Sequence, residues 1–491
     1  MSIDPRTPVV VGVAQAVQHP EDPAQAVEAV ALMEQVVRTA AADAGAPGLL
    51  ARLDYVGVVQ GAWRYSDPGR LVADAVGAAG ARTGVSANGG NTPQSFMNLL
   101  ATRIAAGELD RAVFVGAETI WSRRRQRRAG LGSPMTEQTD QAPDEQVGAE
   151  VPMITGFETS RGMEAPVNFY PLFESAIRAD RGETIEEHRD RVAGLWARFN
   201  EVAVANPYAW SRTPMSADEI RNPTAANRMI GFPYTKAMNS NWDLDQAAAV
   251  LLCSAEAAEA AGVPRDRWVF PWAGTDAHDT YAVSERRDLH SSPAIAEAGR
   301  RVYELAGVRV DDIAHVDLYS CFPSAVQVGA RALGLSEDRQ LTQTGGLTFA
   351  GGPLNNYVTH SIATMVEVLR PDPGAIGLVS ANGGFLTKHA IGIYSTEPPA
   401  TPFRAEDVQE AVDRVPTTPV DEGHLGDVTI EAYTVMHGHE GPEVGLCALR
   451  TPGGARTWGR VTDGDTMTEM MRTEMIGRRA ILAADGVTTI G

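Results

Sequence analysis

The chain has 491 residues, 44% hydrophobic and 21% charged, with a formal net charge of −20 at pH 7. That length predicts two or more folding units, and the composition is ordinary for a soluble globular protein. The acidic balance argues against nucleic-acid binding, and with no run of about 18 apolar residues no membrane span is expected. The first fifteen residues have neither a basic n-region nor an apolar h-region, so no signal peptide is expected. Cys253, Cys321 and Cys447 are too few and too scattered for a disulfide framework, which points to a reducing, cytoplasmic setting.

In chain order, β-rich apolar runs alternate with helical patterns. The first series is 9–13, 55–59, 112–115 and 247–252, and the second is 268–270, 315–319, 375–379 and 390–394. Continuous Val, Ile and Leu, rather than strict alternation, predicts strands buried on both faces and joined by right-handed βαβ crossovers. Residues 24–44 carry apolar positions at helical spacing, with Gly45 as the stop. Thr92 and Pro93 read as an N-cap followed by proline at the first helical position. Phe96, Met97, Leu100 and Ile104 continue that helix and Gly107 ends it.

The two series read as one unit used twice. A long insertion over 120–245, rich in Arg, Trp, Tyr and Asn, fits an excursion over a binding surface. It holds a basic run, Arg123, Arg124, Arg125, Arg127 and Arg128, which reads either as a solvated loop or as a cradle for an anionic ligand. Three prolines within 395–403 mark a linker. Beyond it, β-type runs at 427–435, 443–449, 456–461 and 479–482 predict a small antiparallel barrel-like domain. The expected division is 1–262 for a first half with its insertion, 263–397 for a second half, and 398–491 for the β-domain.

Residues 206–239 (NPYAWSRTPMSADEIRNPTAANRMIGFPYTKAMN), 276–295 (DAHDTYAVSERRDLHSSPAI) and 317–322 (DLYSCF) resemble the sterol-carrier-protein-type branch of the thiolase superfamily. The tail resembles the extra domain of a mycobacterial-type group called thiolase-like protein type 1. The resemblance spans residues 7–397. It implies an α/β fold, the thiolase fold, in which two repeated βαβαβαββ halves stack as αβαβα layers, here with a C-terminal antiparallel β-barrel-like domain added. It also implies CoA or acyl-CoA as a non-covalent ligand, with Arg123 and Arg124 toward its phosphates, and a dimer or a monomer.

The chemistry departs from that family residue by residue. Thiolases hold a nucleophilic cysteine at the start of a buried helix, whose N-terminus favours the thiolate. The matching residue here is Gly90. The histidine of the family's Gly-His-Pro motif falls on Gly352, with His360 eight residues on. The cysteine that serves as base falls near Asn382, with Lys388 and His389 as candidate replacements. Where the branch reads His-Asp-Cys-Phe, this chain reads Tyr319-Ser320-Cys321-Phe322. Cys321 and Cys253 read as packing.

Backbone N–H groups near Gly90, Gly383 and Gly384 would still face a thioester oxygen, and two glycines for Cys and His predict a roomier site. Three readings follow. One is an acyl-CoA binder of lipid or steroid metabolism without thiolase activity. The second is a retro-aldolase on a β-hydroxyacyl-CoA: steroid-degrading relatives carry a tyrosine in this motif and work with a partner containing a small barrel domain. Tyr319 would move the hydroxyl proton. The third is an acetyl-CoA acetyltransferase with relocated catalytic residues.

Overall fold

The computed structural model describes residues 3–132, 135–139 and 141–491. The first half runs β1 (Pro8–Val17), α1 (Ala29–Asp43), β2 (Tyr55–Val58), α2 (Pro68–Val76), β3 (Arg82–Ser86), α3 (Thr92–Ala105) and β4 (Arg111–Thr119). The insertion follows as α4 (Ile120–Arg128), β5 (Glu145–Val147), α5 (Gly156–Ser160), α6 (Pro166–Arg181), α7 (Ile185–Ala205), α8 (Ala217–Arg221), β6 (Met229–Gly231) and β7 (Tyr234–Thr235). It returns through β8 (Asp245–Ser254) and α9 (Ala255–Ala260).

The second half runs β9 (Phe270–His278), α10 (Pro293–Ala306), β10 (His315–Asp317), α11 (Pro323–Ala332), α12 (Gly346–Phe349), α13 (Tyr357–Leu369), β11 (Ile376–Gly383) and β12 (Lys388–Ser395). The tail adds β13 (Arg404–Asp407), α14 (Gln409–Val412), β14 (Gly426–His437), β15 (Pro442–Arg450), β16 (Arg456–Val461), α15 (Gly464–Met470), β17 (Arg479–Leu482) and β18 (Thr488–Ile490).

The duplication shows in the sheet order. The first sheet runs β1-β8-β4-β2-β3-β5 and the second β10-β11-β12-β9-β13. Starting from β1 and from β9, the successive pairings match: antiparallel, antiparallel, parallel. The place of β3 is held in the second half by an extended segment whose Leu341 carbonyl accepts from Leu318 N at 2.9 Å. Helices α3 and α13 lie between the sheets, α1 and α2 cover the outside of the first, and α10 covers the outside of the second. Side chains alternate along each strand, so Val9 and Val11 join the outer core while Val10 and Val13 join the central one. Strands β1, β4 and β8 are covered on both sides, which is why they read as continuous apolar runs.

Two helix starts differ from expectation. Residues 23–25 form a separate 3₁₀ turn, and α1 begins only at Ala29. Thr92 is not the N-cap of α3. Asn91 holds that place and Thr92 is the first helical residue, its hydroxyl donating back to the Gly89 carbonyl at 2.8 Å. The stops are as expected, with Gly45 and Gly107 in the left-handed region.

The tail folds as an antiparallel sheet, β16-β15-β14-β17-β18, with a bridge from Arg460 to Val487 rather than a closed barrel. It docks on the insertion and on the second half. Met436 of β14 pairs with Gly231 of β6, and Arg178 of α6 reaches the Tyr433 hydroxyl at 2.9 Å. Trp458 donates to Ser284 Oγ at 2.7 Å, and fully buried Arg456 donates to the carbonyls of Ser284 and Arg286 at 2.9 and 2.6 Å. Among the described residues no helix is long and apolar enough to cross a membrane.

Candidate functional site

The turn from β3 into α3, residues 88–91, is held from three directions. Asn88 N donates to Glu150 Oε1 at 2.6 Å, and the Lys388 ammonium donates to the Asn88 carbonyl. Gly89 N donates to Asn355 Oδ1 at 3.1 Å, and Asn355 Nδ2 donates to the Gln60 carbonyl at 2.8 Å. Below the turn, Asp276 anchors α3 to β9 by accepting from Ser95 Oγ at 2.5 Å and Asn98 Nδ2 at 2.7 Å. Burial raises the Asp276 carboxyl and these two donors oppose that rise.

The expected roomy site at Gly90 is not there. A Cβ at position 90 would lie 2.5 Å from the Asn382 carbonyl oxygen and 2.9 Å from Tyr319 Cζ, and in hard contact with Tyr319 Oη. The phenol has taken the space a nucleophile would need. Gly383 is equally confined, since its Cβ would lie 2.5 Å from Asn91 Oδ1 and 3.1 Å from Gly89 Cα. Gly384, at φ 72°, has Met153 Sδ against it. Position 352 is looser, with Leu347 Cδ2 at 3.3 Å and the Asn241 carbonyl at 3.4 Å from an added Cβ.

Three expected site residues come together. Tyr319, Asn382 and His389 line one void of about 10 Å³, room for one water at most. Tyr319 N donates to Ser380 Oγ at 3.0 Å and its ring meets Tyr357 edge-on. Its hydroxyl has no hydrogen-bond partner among the described residues, and burial pushes the phenol well above its ordinary pKa. Asn382 Nδ2 donates to Tyr170 Oη at 2.9 Å, while Asn382 Oδ1 is buried without a partner. His389 is in β12, not in a loop, as is Lys388. His389 Nε2 lies 3.2 Å from the Leu386 carbonyl and 3.4 Å from Asp279 Oδ2. Burial pushes the Asp279 carboxyl up, but His389 and the Arg286 charge outweigh that and hold it below the usual range. Burial also lowers the Lys388 ammonium, with Glu150 partly offsetting it.

His360 lies elsewhere in the central layer, on α13, with Nδ1 2.9 Å from Gln15 Oε1 of β1. Burial drives its pKa down to about 3, so it stays neutral. Burial raises the thiols of Cys253, Cys321 and Cys447 to about 12, the opposite of an activated nucleophile. The basic run is a helix, α4, not a loop, and it is partly engaged. Arg123 turns to Glu118 at 4.0 Å, Arg124 pairs with Asp243, and Arg125 lies over the Trp121 ring. Among the described residues no His, Cys, Asp and Glu cluster could hold a metal.

Tyr170, Asp279, Glu150, Met153 and Asn355 complete this neighbourhood and did not stand out in the sequence. Asp279 sits inside the 276–295 motif, which was the one available signal. The others come from distant parts of the chain, Tyr170 from α6 and Glu150, Met153 and Asn355 from connecting segments, that spacing does not connect.

Residues 275–355 match a family model for the thiolase C-terminal domain, and residues 407–487 match one for the additional C-terminal domain of thiolase-like protein type 1. The fold is similar to a monomeric SCP2-thiolase-like protein type 1 from Mycobacterium smegmatis, with 31% identity and a TM-score of 0.85 over 100% of both chains. It is similar in fold to an Ltp2–ChsH2(DUF35) aldolase, with 18% identity and a TM-score of 0.59 over 79% of this chain and 98% of that one. An acetyl-CoA acetyltransferase of Methanothermobacter thermautotrophicus is 25% identical over 263 residues, 49% of this chain and 65% of that protein. The chain thus spans less than two thirds of the length of the curated relatives it matches. With full-length coverage at that identity to the mycobacterial protein, and its tail matching the additional domain, the chain belongs to the SCP2-thiolase-like protein type 1 family.

Proposed function

We propose that this protein binds CoA thioesters of lipid or steroid metabolism and does not exchange their acyl groups as a thiolase does. The observation that carries the second half of this reading is the filled space at Gly90. A thiolase needs a thiolate there, and neither a thiol nor the room for one is present. The first half rests on the family and on its acetyl-CoA acetyltransferase relative. The exposed guanidiniums of Arg124, Arg127 and Arg128 on α4 offer a cationic face for the CoA phosphates, with Arg123 turned inward. Calorimetric titration with CoA, acetyl-CoA and a steroidal acyl-CoA tests the binding, and no heat at millimolar ligand sinks it. Saturable acetoacetyl-CoA thiolysis by the pure protein would overturn the second half.

A retro-aldol reading has one observation in its favour: Tyr319 brings a phenol to the place of the nucleophile, beside the polar residues Asn382 and His389. Burial raises the pKa of this phenol, so at neutral pH it holds its proton and can give it to the enolate carbon, while the β-hydroxyl proton would pass to His389 beside it rather than to the phenol. A β-hydroxyacyl-CoA cleavage rate that survives Tyr319→Phe unchanged removes this reading. A relocated thiolase nucleophile is tested by iodoacetamide. Labelling of Cys321 with loss of a measured acetyltransferase activity would revive it.

A further inference from the structure

A second cavity lies on the other face of the first sheet, apart from Gly90. It measures about 490 Å³, within the range that takes a drug-sized molecule. Its walls come from the start of α1 (Ala26 to Ala31), from the segment after β2 (Trp63, Tyr65), from α4 (Ser122, Arg123, Gln126) and from Met135 and Thr136. Trp63 and Tyr65 form an aromatic floor, with ring centroids 5.3 Å apart.

The polar groups of the cavity point to one kind of head group. Arg123 Nε is buried and has no hydrogen-bond partner. Its Nη2 is 4.0 Å from Glu118 Oε2, which is also buried and without a partner. The pair is therefore too far apart to satisfy itself, and costs stability unless something completes it. At the rim, the first turn of α1 is already partly satisfied, since Val30 N donates to the Tyr65 hydroxyl at 3.4 Å. Glu28, the carboxylate of the wall, is already engaged by the Tyr65 hydroxyl at 2.8 Å and by Thr136 N at 2.7 Å.

We propose that this cavity is a binding site for a monocarboxylate with an aromatic or aliphatic body. The carboxylate sits against the unpartnered Arg123 Nε, and the body lies on Trp63, Tyr65, Met135 and Val27. One guanidinium with an unpartnered Nε matches one negative charge, and Glu28 at the rim disfavours a polyanion such as a phosphate ester. Burial raises Glu118 to about 7, with Ala62 N and Arg123 opposing the rise and Asp245 adding to it. A carboxylate bound at Arg123 brings negative charge near Glu118, which lies 4.0 Å from that guanidinium, and so favours the protonated form of Glu118, so binding takes up a proton. The site is independent of the CoA-binding reading above.

Calorimetry with octanoate and phenylacetate, against octanamide and phenylacetamide as neutral isosteres, tests the proposal on the full chain. Saturable binding of the acids is expected, weakened about tenfold or more by Arg123→Gln, the loss of one charged hydrogen bond. Ala31→Trp, at a half-exposed position of α1, fills the cavity without touching Arg123 and abolishes binding in a protein of unchanged melting temperature. Affinity falls several-fold from about pH 6 to about pH 8, and Glu118→Gln removes that dependence. No saturable binding to the native protein, equal binding of the amides, or displacement of the acids by CoA at this cavity would each overturn the proposal.

Discussion

Gly90→Ala is expected to destabilise the protein, and Tyr319 is expected to be the reason. An added Cβ would stand 2.9 Å from Tyr319 Cζ and 2.5 Å from the Asn382 carbonyl oxygen. Comfortable carbon contacts begin near about 3.5 Å, so the ring or the turn must retreat by more than about half an ångström. Glu150, Lys388 and Asn355 grip the turn and resist that retreat. Overpacking of this kind costs about 1–3 kcal/mol. Tyr319→Ala alone leaves a cavity and costs about 3–5 kcal/mol. In the double variant the methyl group enters the space the ring has left, so the two costs overlap. Scanning calorimetry of the four proteins should show a double variant more stable than the sum of the single shifts, by about 1–3 kcal/mol. Additivity within about 0.5 kcal/mol would refute the claim that the phenol occupies the nucleophile's space. Gly90→Cys should show no thiolase turnover in the same series.

Three further outcomes follow from the packing. His360 takes up a proton near pH 6.5 when unfolded but only near about 3 when folded, so below pH 6.5 the unfolded state binds more protons and stability falls as pH falls. The slope for this group approaches about 1.4 kcal/mol per pH unit below about pH 6, and His360→Gln should remove that contribution from the unfolding free energy, and so flatten the pH dependence of the melting temperature between about pH 6.5 and 5. Arg456→Met leaves Glu431 short of two donors at 2.8 and 2.7 Å and leaves the Arg286 and Ser284 carbonyls unpaired. It should cost about 3–5 kcal/mol and open the chain to chymotrypsin after Phe403 and to trypsin after Arg404. Strand β5 pairs in parallel with the outer side of β3 and closes the edge of the first sheet. Light scattering after size exclusion should therefore report the mass of one chain, and a stable dimer would contradict this.

Much of the frame was legible because buried strands announce themselves. Residues 9–13, 112–115 and 247–252 lie in strands covered on both faces, and no surface requirement interrupts their apolar pattern. Strand β3 escaped notice because Arg82-Thr83-Gly84-Val85-Ser86 contains a glycine that leaves room for the Tyr55 hydroxyl. Strands β5 and β13 are short, polar edge pieces whose only reason to be strands is the neighbour they cover. At the site, the motifs singled out Tyr319, Asn382 and His389, which line one void, and Gly90, which packs on Tyr319. What one sequence could not show is that Tyr319 and Gly90 occupy one space, since they are far apart in the chain and touch only through the stacking of the two halves.

That shared space changes what the missing cysteine means. A nucleophile lost by simple substitution leaves a hole, and a hole can be refilled by one reverse step. Here the hole has been closed from the other half of the molecule, by a side chain rooted behind β10. A thiol at position 90 is resisted by the phenol, and a smaller residue at 319 opens a void unless position 90 grows at the same time. Each single step lowers stability by a kilocalorie or more, a large share of the margin by which a domain stays folded. The two positions are therefore coupled through packing, and under the function proposed above it is the stability of the core that holds the site away from thiolase chemistry.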